Sequence, residues 1–311
     1  MTLLTPDRPR TADRRPPARP VRRTTEIVRP TRTGDRARLA VAVVVTVVAL
    51  VVLAVHGPPL TPEAPPAEQQ APPAAPGLEA QLKAYLTGRP TTAAVEVRDL
   101  TTGQEYGYRA TKAYDSASVV KIAILAATLR HAEQQQRGPT AKEKSLLSRM
   151  IRLSDNGAAT TLWNRLGRGD TFDEFFAAAG MTHTTAGPRG YWGLTRVTAA
   201  DQVVLMAHLT QPSPLLSQES RDYARGLMAK VDHDQDWGVS AGPGQDDTVE
   251  LKNGWLPRGT HGWAVHSVGH VQGDGRDYLI AVLTVDNPTE KKGITTVEGA
   301  SKIVWRALAP A

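Results

Sequence analysis

The sequence predicts an α+β domain over residues 77–311, with one antiparallel sheet built from both ends of the domain, flanking helices and an inserted all-helical lobe. Two observations predict the sheet and the lobe: two short runs with the character of strands precede a long helical stretch, and three such runs follow it. A third observation, an uncharged apolar run ahead of the domain, adds a single transmembrane helix.

The net positive charge of the chain comes from its first segment. The 311 residues carry a formal net charge of +6, but residues 1–38 hold 11 arginines and four acidic residues, so the remainder is close to neutral. Because this segment is rich in proline and poor in apolar residues, we expect it to be disordered. A nucleic-acid reader would carry a basic stripe on its folded part, so we expect no nucleic-acid partner. The chain has no cysteine, which excludes disulfides and a cysteine nucleophile.

The apolar run covers residues 39–55 and contains only one polar residue, Thr46. A helix of this length spans about 25 Å, which flanking residues such as Arg38 can extend to cross a bilayer. The arginines ahead of the run place the amino terminus in the cytoplasm and the domain outside the cell. A cleaved export signal is the alternative, and the lack of a small-x-small cleavage site after the run favours an uncleaved anchor. Residues 56–76, rich in proline, then predict an extended linker.

Apolar spacing and turn residues define the elements of the domain. The predicted helices lie at 77–88, Val119–Leu129, around 146–151, around 158–166, Asp201–Leu209, Ser220–Val231 and Val297–Leu308. The predicted strands lie at Ala93–Leu100, Glu105–Arg109, Val249–Trp255, Trp263–Val271 and Tyr278–Val285. Residues 154–157 predict a turn between two of the helices, and Gly-Asp-Gly at 273–275 predicts the turn between the last two strands.

Ser118 and Lys121 open the apolar helix of residues 122–129, and residues three apart on a helix share one face, about 5–6 Å from each other. Lys121 could therefore take the proton of Ser118, and the free N–H groups of the first helical turn could stabilise an oxyanion. Lys121 also lies among apolar residues, where burial lowers the pKa of a lysine towards that of a general base. The alternative is that Ser118 caps the helix and Lys121 lies on the surface.

Two further motifs follow Ser118 and Lys121. Ser154-Asp155-Asn156 lies in the predicted turn between helices, and Lys252-Asn253-Gly254 lies on the first strand after the helical lobe. Taken alone, Ser-Asp-Asn is typical of a turn, and the lysine of Lys-Asn-Gly is typical of an exposed charge on an edge strand. Ser-x-x-Lys, Ser-Asp-Asn and Lys-x-Gly in this order resemble the motif set of the active-site serine penicillin-recognising enzymes, and among them the class A β-lactamase-like branch, over essentially all of residues 77–311.

The resemblance implies catalytic roles for four residues. Ser118 would be the acylated nucleophile and Lys121 its general base. Ser154 would relay a proton towards the leaving nitrogen. Lys252 would supply positive potential for the substrate carboxylate and help to keep Lys121 neutral by the repulsion of like charges.

The resemblance also implies a substrate-binding set. Asn156 would hold the side-chain amide of the substrate, and the backbone N–H groups of the nucleophile and of Trp255 would form the oxyanion hole. Gly254 permits a close approach of the strand backbone. Asn253 stands where most relatives carry threonine; its amide can still donate to a carboxylate, and Arg258 could supplement it.

One departure from the resemblance concerns deacylation. In class A β-lactamases a glutamate on the loop after the Ser-Asp-Asn element activates the hydrolytic water, whereas residues 175–200 here contain no acidic residue. We therefore expect slow hydrolysis of an ester on Ser118. Tyr191 and Trp192 in this segment either line the cleft or anchor the loop against the helical lobe. The acidic residues just upstream are expected to be solvated charges on a helix: Asp170, Asp173 and Glu174.

Two other patterns have weaker functional interpretations. Residues 238–242 match the G-x-S-x-G nucleophile elbow, but the Gly-Pro-Gly sequence at 242–244 cannot begin the helix that an elbow requires, so we expect a loop. His261, His266 and His270 lack the spacing of a metal site, and we expect them to be packing or surface residues. We expect no metal and no cofactor.

The sequence thus predicts a membrane-anchored, extracytoplasmic serine hydrolase, similar to class A β-lactamases and monomeric. It would be acylated at Ser118 by β-lactams or by the D-alanyl ends of peptidoglycan stem peptides, with weak deacylation. The alternative is a penicillin-recognising binding or scaffold protein of the cell wall that keeps the fold but lacks useful catalysis. The missing loop acid and the change to Asn253 favour this alternative, and the presence of Ser118, Lys121 and Ser154 opposes it.

Overall fold

A computed structural model describes residues 77–310 of the protein. The predicted cytoplasmic tail, transmembrane segment and linker, which together make up residues 1–76, lie outside the described residues. No helix within residues 77–310 is long and apolar enough to cross a membrane.

The strands follow one another in the order β1 (Thr92–Asp99), β2 (Glu105–Tyr108), β3 (Tyr114–Asp115), β4 (Arg196–Val197), β5 (Thr248–Pro257), β6 (Trp263–Gly273) and β7 (Arg276–Asn287). Five of them form the main antiparallel sheet in the order β2-β1-β7-β6-β5, while β3 and β4 form a separate two-stranded ladder. The first strand pairs with the last, with Thr92 opposite Val285 and Asp99 opposite Tyr278. The sheet is therefore assembled from both ends of the domain, as the sequence predicts.

Eight α-helices accompany the strands within residues 77–310. They are α1 (Leu78–Thr87), α2 (Lys121–Gln134), α3 (Ala141–Arg152), α4 (Asn156–Leu166), α5 (Gly169–Ala178), α6 (Ala199–Thr210), α7 (Gln218–Met228) and α8 (Glu290–Ala307). Helices α2 to α7 come between β3 and β5 in the chain and form the inserted helical lobe, whereas α1 and α8 flank the sheet.

The two faces of the sheet are covered by different helices because successive residues of a strand point to opposite sides. On β7, Ala281 and Leu283 belong to the apolar cluster of the helical lobe, while Ile280 and Val282 pack with α1 and α8. Burial on both faces explains why β7 is a nearly continuous apolar run rather than an alternating one. The sheet is thus the wall against which the helical lobe is fixed.

Two helix starts at the centre of the domain differ from the sequence prediction. The α-helix begins at Lys121, and Ser118 lies in a single 3₁₀ turn ahead of it, Ala117–Val120. The predicted turn at 154–157 is shorter than expected, since α4 already begins at Asn156. The Asp155 carboxylate accepts a hydrogen bond of 2.9 Å from the Ala158 N–H and so caps this helix.

Outside the centre, the last helix is longer than predicted and the elbow pattern is a loop. Helix α8 begins at Glu290 because the Thr289 hydroxyl accepts the Lys292 N–H at 3.1 Å, a cap that the apolar spacing does not reveal. Ser240 lies in one 3₁₀ turn, Val239–Ala241, between α7 and β5. With no strand before it and no regular helix after it, the segment is not a nucleophile elbow.

Candidate active site

Ser118 and Lys121 meet at the start of the most buried helix of the lobe. The Nζ atom of Lys121 lies 2.9 Å from Oγ of Ser118. The 3₁₀ turn that carries Ser118 runs directly into α2, whose residues Ile122 and Ile124 are fully buried. The lysine side chain is itself 0% exposed, so its amine is presented to the serine without bulk solvent around it.

Ser154 lies between the two lysines of the site. Its Oγ accepts a hydrogen bond from Nζ of Lys121 at 3.1 Å and from Nζ of Lys252 at 3.1 Å, and its carbonyl oxygen accepts from Lys121 at 2.6 Å. The residue has a φ of 55°, in the left-handed region that a side chain disfavours. Such a backbone persists only where its surroundings hold it, and the Asp155 cap of α4 fixes the residue that follows.

The first residue of α4 also contacts Lys121. The Asn156 Oδ1 atom accepts a hydrogen bond of 2.7 Å from Nζ of Lys121. Because the amide oxygen is engaged in this bond, the two Nδ2 hydrogens are left as the donors that a bound molecule could use.

Lys252 approaches the same point from the sheet. It lies on β5, the edge strand beside the helical lobe, is 0% exposed, and donates to the Asn253 carbonyl at 2.9 Å as well as to Ser154. Burial, together with the nearby charge of Lys121, holds the pKa of Lys252 well below its usual range.

Lys121 titrates near neutrality. Burial lowers the pKa of Lys121 to about 7, and the attraction of the Asp155 carboxylate only partly opposes this shift. None of the ion pairs within residues 77–310 involves Lys121. A large fraction of the amine is therefore neutral at pH 7, in the form that can accept a proton from the serine.

Gly254 brings the strand backbone against the serine turn. A Cβ atom at this position would lie 2.7 Å from the Ser118 nitrogen and 2.8 Å from the Val119 nitrogen, both too close for any side chain. Trp255 follows on the same strand and packs its ring against that of Trp237, with 6.0 Å between centroids. The backbone of β5 therefore lies directly against the turn that carries Ser118.

Asn253 is not placed as the resemblance implied. Its side chain is 0% exposed, and its Nδ2 donates to the carbonyl oxygens of Gln235 and Trp237, at 2.8 Å each. Since both amide hydrogens are used to hold that loop, the side chain does not offer them to a substrate carboxylate. Arg258, the possible supplement, is paired with Asp115 at 2.7 Å.

Asp115 contributes to the site in a way that sequence reasoning missed. It lies on β3 and binds two arginines, Arg258 and Arg196, the latter at 2.9 Å. Its effect is to hold the segment after β5 to the short β3–β4 ladder. An ordinary acidic residue on a two-residue strand carries no pattern that could have revealed this role.

Trp192 lies in the site, whereas Tyr191 does not. The Trp192 ring centroid is 5.0 Å from Nζ of Lys121, and its Nε1–H donates to Oγ1 of Thr160 at 3.0 Å. Thr160 is four residues after Asn156 on α4, so both side chains project from one face of that helix, Asn156 to Lys121 and Thr160 to Trp192. Tyr191 is 59% exposed.

The acidic residues upstream of this loop stay outside the site. Asp170, Asp173 and Glu174 are exposed on α5, and Asp173 accepts the Ala186 N–H at 2.7 Å. The prediction of solvated helix charges is therefore right for these three residues, one of which also fixes the start of the loop.

The histidines have structural partners. His266 is fully buried: its Nδ1 accepts the Thr284 N–H at 3.1 Å, its Nε2 donates to the Asp115 carbonyl at 2.9 Å, and burial lowers its pKa to about 4. His270 lies between Glu250 at 3.0 Å and Asp277 at 2.8 Å. Within residues 77–310 no group of three or more His, Cys, Asp or Glu side chains is arranged to hold a metal ion.

Comparison with known proteins identifies a family to which the chain is similar. The model of the beta-lactamase enzyme family matches residues 77–143 and 135–308 of the chain. No curated protein sequence matches this chain.

Solved structures share the fold. An acyl-enzyme complex of a PBP-A mutant with penicillin G is 19% identical, with a TM-score of 0.65 over 76% of this chain and 98% of that one. The TLA-1 extended-spectrum beta-lactamase is 15% identical, with a TM-score of 0.70 over 76% and 100%. A class A beta-lactamase from Mycobacterium abscessus is 24% identical, with a TM-score of 0.62 over 75% and 98%. At these identities the likeness shows the fold.

Proposed function

Because the chain belongs to the beta-lactamase enzyme family, we propose that it is a serine hydrolase acylated at Ser118 by β-lactams or by the D-alanyl ends of cell-wall stem peptides. One observation carries this proposal: the amine of Lys121 lies 2.9 Å from Oγ of Ser118, and burial lowers its pKa to about 7. A lysine in this state is a general base for a serine at neutral pH.

Acylation then follows from the contacts of Lys121 and Ser154. Neutral Lys121 accepts the proton of Ser118 as Oγ forms a bond to the carbonyl carbon, and the oxyanion is bound by the N–H groups of Ser118 and Trp255. As the carbon–nitrogen bond breaks, the leaving nitrogen takes the hydroxyl proton of Ser154, 3.1 Å from Lys121. Lys121 returns its proton to Ser154 and is neutral again.

Lys252 and Asn156 serve the same step in different ways. Lys252 holds the Ser154 hydroxyl in place from the sheet side, at 3.1 Å. Asn156, whose Oδ1 accepts from Lys121, directs its Nδ2 hydrogens to the acyl side chain of the substrate. A free carboxylate on the substrate would be recognised weakly, because the Asn253 amide is engaged with two backbone carbonyls and Arg258 is paired with Asp115.

Deacylation is proposed to be slow. Hydrolysis of the ester needs a water molecule held by a general base, which contributes typically 10²–10⁴-fold to such a step. The acidic residues of α5 are exposed and lie outside the site, and residues 175–200, which follow them, contain no acid. The acyl-enzyme should therefore persist, as in a penicillin-binding protein.

We also propose that the protein is anchored in the cell membrane. Residues 39–55 would anchor the chain in the cell membrane, with the arginine-rich residues 1–38 inside and the domain outside, facing the cell wall as a monomer. Protease added to intact cells should remove the domain and leave the amino-terminal segment protected. An amino-terminal sequence of the exported protein that begins near residue 57 would contradict the anchor.

The chemistry is tested by incubating the full-length protein in detergent with a fluorescent penicillin and following its intact mass. We expect a long-lived adduct of one penicillin on the wild type and none on Ser118→Ala, the matched control. Rapid loss of the adduct would indicate an efficient β-lactamase. A wild-type protein that forms no adduct would contradict the proposal and favour a catalytically inactive scaffold.

A further inference from the structure

A pocket of about 150 Å³ lies between helices α2 and α5, outside the candidate active site. The large apolar side chains that line it are those of Leu166, Phe172 and Phe175, and both phenylalanines are buried. Arg130 lines the pocket from α2. Because Arg130 follows Lys121 by nine residues, a rise of about 13 Å along the helix, the pocket is separate from the catalytic serine.

Arg130 has no partner in the protein. Its Nη1 atom is buried, and no acceptor within residues 77–310 receives a hydrogen bond from this atom. The ion pairs of the described part of the chain all involve other residues, so no carboxylate there neutralises this guanidinium. A buried donor without an acceptor is unfavourable, because it loses its hydrogen bonds to water and gains none in return. A bound acceptor would remove this cost.

The acidic side chain nearest to this role is that of Glu174, which lines the same pocket from α5. Glu174 is exposed, and it forms no ion pair with Arg130. The guanidinium is therefore available to an anion from outside the protein, although the charge of Glu174 would weaken the binding of that anion.

We propose that this pocket binds a small aromatic carboxylate, with the ring among Leu166, Phe172 and Phe175 and the carboxylate on Arg130. Two properties of the pocket select this class of ligand. A guanidinium presents paired N–H donors whose geometry matches the two oxygens of a carboxylate. An apolar cavity of about 150 Å³ is large enough to hold benzene. The inference goes beyond the proposed hydrolase activity and does not depend on the acylation of Ser118.

Fluorine NMR of the ligand, in the presence of the full-length protein in detergent, tests the site. The probe is 4-fluorobenzoate, and the neutral 4-fluorobenzamide is its matched control. We expect the wild type to bind the benzoate with a Kd on the order of 1 mM, as expected for so small a ligand. Arg130→Met keeps the length of the side chain but removes the charged donors, and should bind at least about tenfold more weakly. Glu174→Gln removes a like charge and should bind about twofold more tightly.

Three controls separate this pocket from other sites and from misfolding. Arg306→Met removes an exposed arginine from α8, outside the pocket, and should bind the benzoate like the wild type. Ser118→Ala should also bind like the wild type, because the pocket does not include the nucleophile. Arg130→Met should melt no lower than the wild type, since the Nη1 atom that it removes makes no hydrogen bond in the protein.

The inference would be overturned if the wild type did not bind the benzoate. It would also be overturned if the wild type bound the benzoate no more tightly than it binds 4-fluorobenzamide, or no more tightly than Arg130→Met binds the benzoate. None of these results bears on the proposed hydrolase activity, which penicillin labelling of Ser118 tests separately.

Discussion

Nζ of Lys252 donates a hydrogen bond of 3.1 Å to the hydroxyl of Ser154, a residue 98 positions earlier in the chain. This bond joins the edge of the sheet to the loop between two helices of the lobe. The hydroxyl of Ser154 receives Lys121 on its other side, so one serine couples both lysines.

The backbone of Ser154 allows its catalytic and structural contributions to be separated. Both Ser154→Ala and Ser154→Gly remove the hydroxyl, and both should slow acylation by about 10²-fold because the leaving nitrogen loses its proton donor. The glycine variant should be the more stable of the two by about 1 kcal/mol, since glycine adopts the φ of 55° without strain. Thermal unfolding and the rate of penicillin labelling measure the two effects. Equal melting temperatures would contradict the strain.

The acylation rate should rise with pH as Lys121 loses its proton. With the pKa of Lys121 at about 7, the neutral fraction falls to about a tenth at pH 6, so labelling should be about tenfold slower there than at pH 8 or above. Stopped-flow labelling between pH 5.5 and pH 9 checks this. Lys121→Arg, which stays charged throughout, should not label at any of these pH values. A flat profile for the wild type would exclude Lys121 as the base.

Gly254→Ala should abolish labelling, because the new Cβ would lie 2.7 Å from the Ser118 nitrogen and displace either β5 or the serine turn. Loss of one oxyanion donor alone costs about 10²–10³-fold in rate. Gly226→Ala is the control: the glycine is in α7 with no atom within 4 Å of the new Cβ, and the change should stabilise the helix by roughly 0.5–1 kcal/mol. Normal labelling of Gly254→Ala would contradict the close approach.

Asn253→Ala should act on stability rather than on carboxylate recognition. The variant leaves the partly buried carbonyl oxygens of Gln235 and Trp237 without their donor, which costs about 1 kcal/mol. Urea unfolding monitored by tryptophan fluorescence measures the change. If stability were unchanged and only the labelling by acidic penicillins fell, relative to their methyl esters, Asn253 would instead be a carboxylate ligand.

His270 should contribute pH-dependent stability. Burial disfavours its charge, but hydrogen bonds and the charges of Glu250 and Asp277 outweigh burial and raise the pKa of His270 above 6.5. A raised pKa in the folded state means that this stabilisation is complete below pH 6.5 and is lost as the pH rises through the folded pKa. The melting temperature of the wild type should therefore exceed that of His270→Gln by more at pH 6 than at pH 9. If the two melting temperatures differed equally at pH 6 and pH 9, the stabilisation would not depend on a protonated His270.

The order of strands and helices could be predicted because each follows a local pattern. Strand β7 shows a long apolar run after the Gly-Asp-Gly turn at 273–275, and the Ser118 and Lys121 pair follows from helical spacing around an apolar helix. The starts of α4 and α8 could not be predicted in the same way, because side-chain caps at Asp155 and Thr289 set them.

The orientation of individual side chains could not be predicted from the sequence either. Asn253 is adjacent to Lys252 in the chain, yet its amide points to carbonyls of the 235–237 loop, a choice that only the folded loop determines. The two interpretations of Trp192, lining the cleft or anchoring its loop, prove to be one, since the ring contacts Lys121 and its N–H anchors it to α4. Sequence spacing identifies such a residue but not the direction in which it faces.

The pairing of β1 with β7 also has a kinetic consequence. The hydroxyl of Thr91 bonds to the Val285 carbonyl, 194 positions later, and the full length of β1 then runs beside β7. Until β7 is available, that side of β1 is an open strand edge, and contacts so distant in sequence form slowly. During synthesis from the amino terminus, this edge of β1 therefore stays unpaired until β7 has been made. The nascent domain is most prone to aggregation just before that strand is complete.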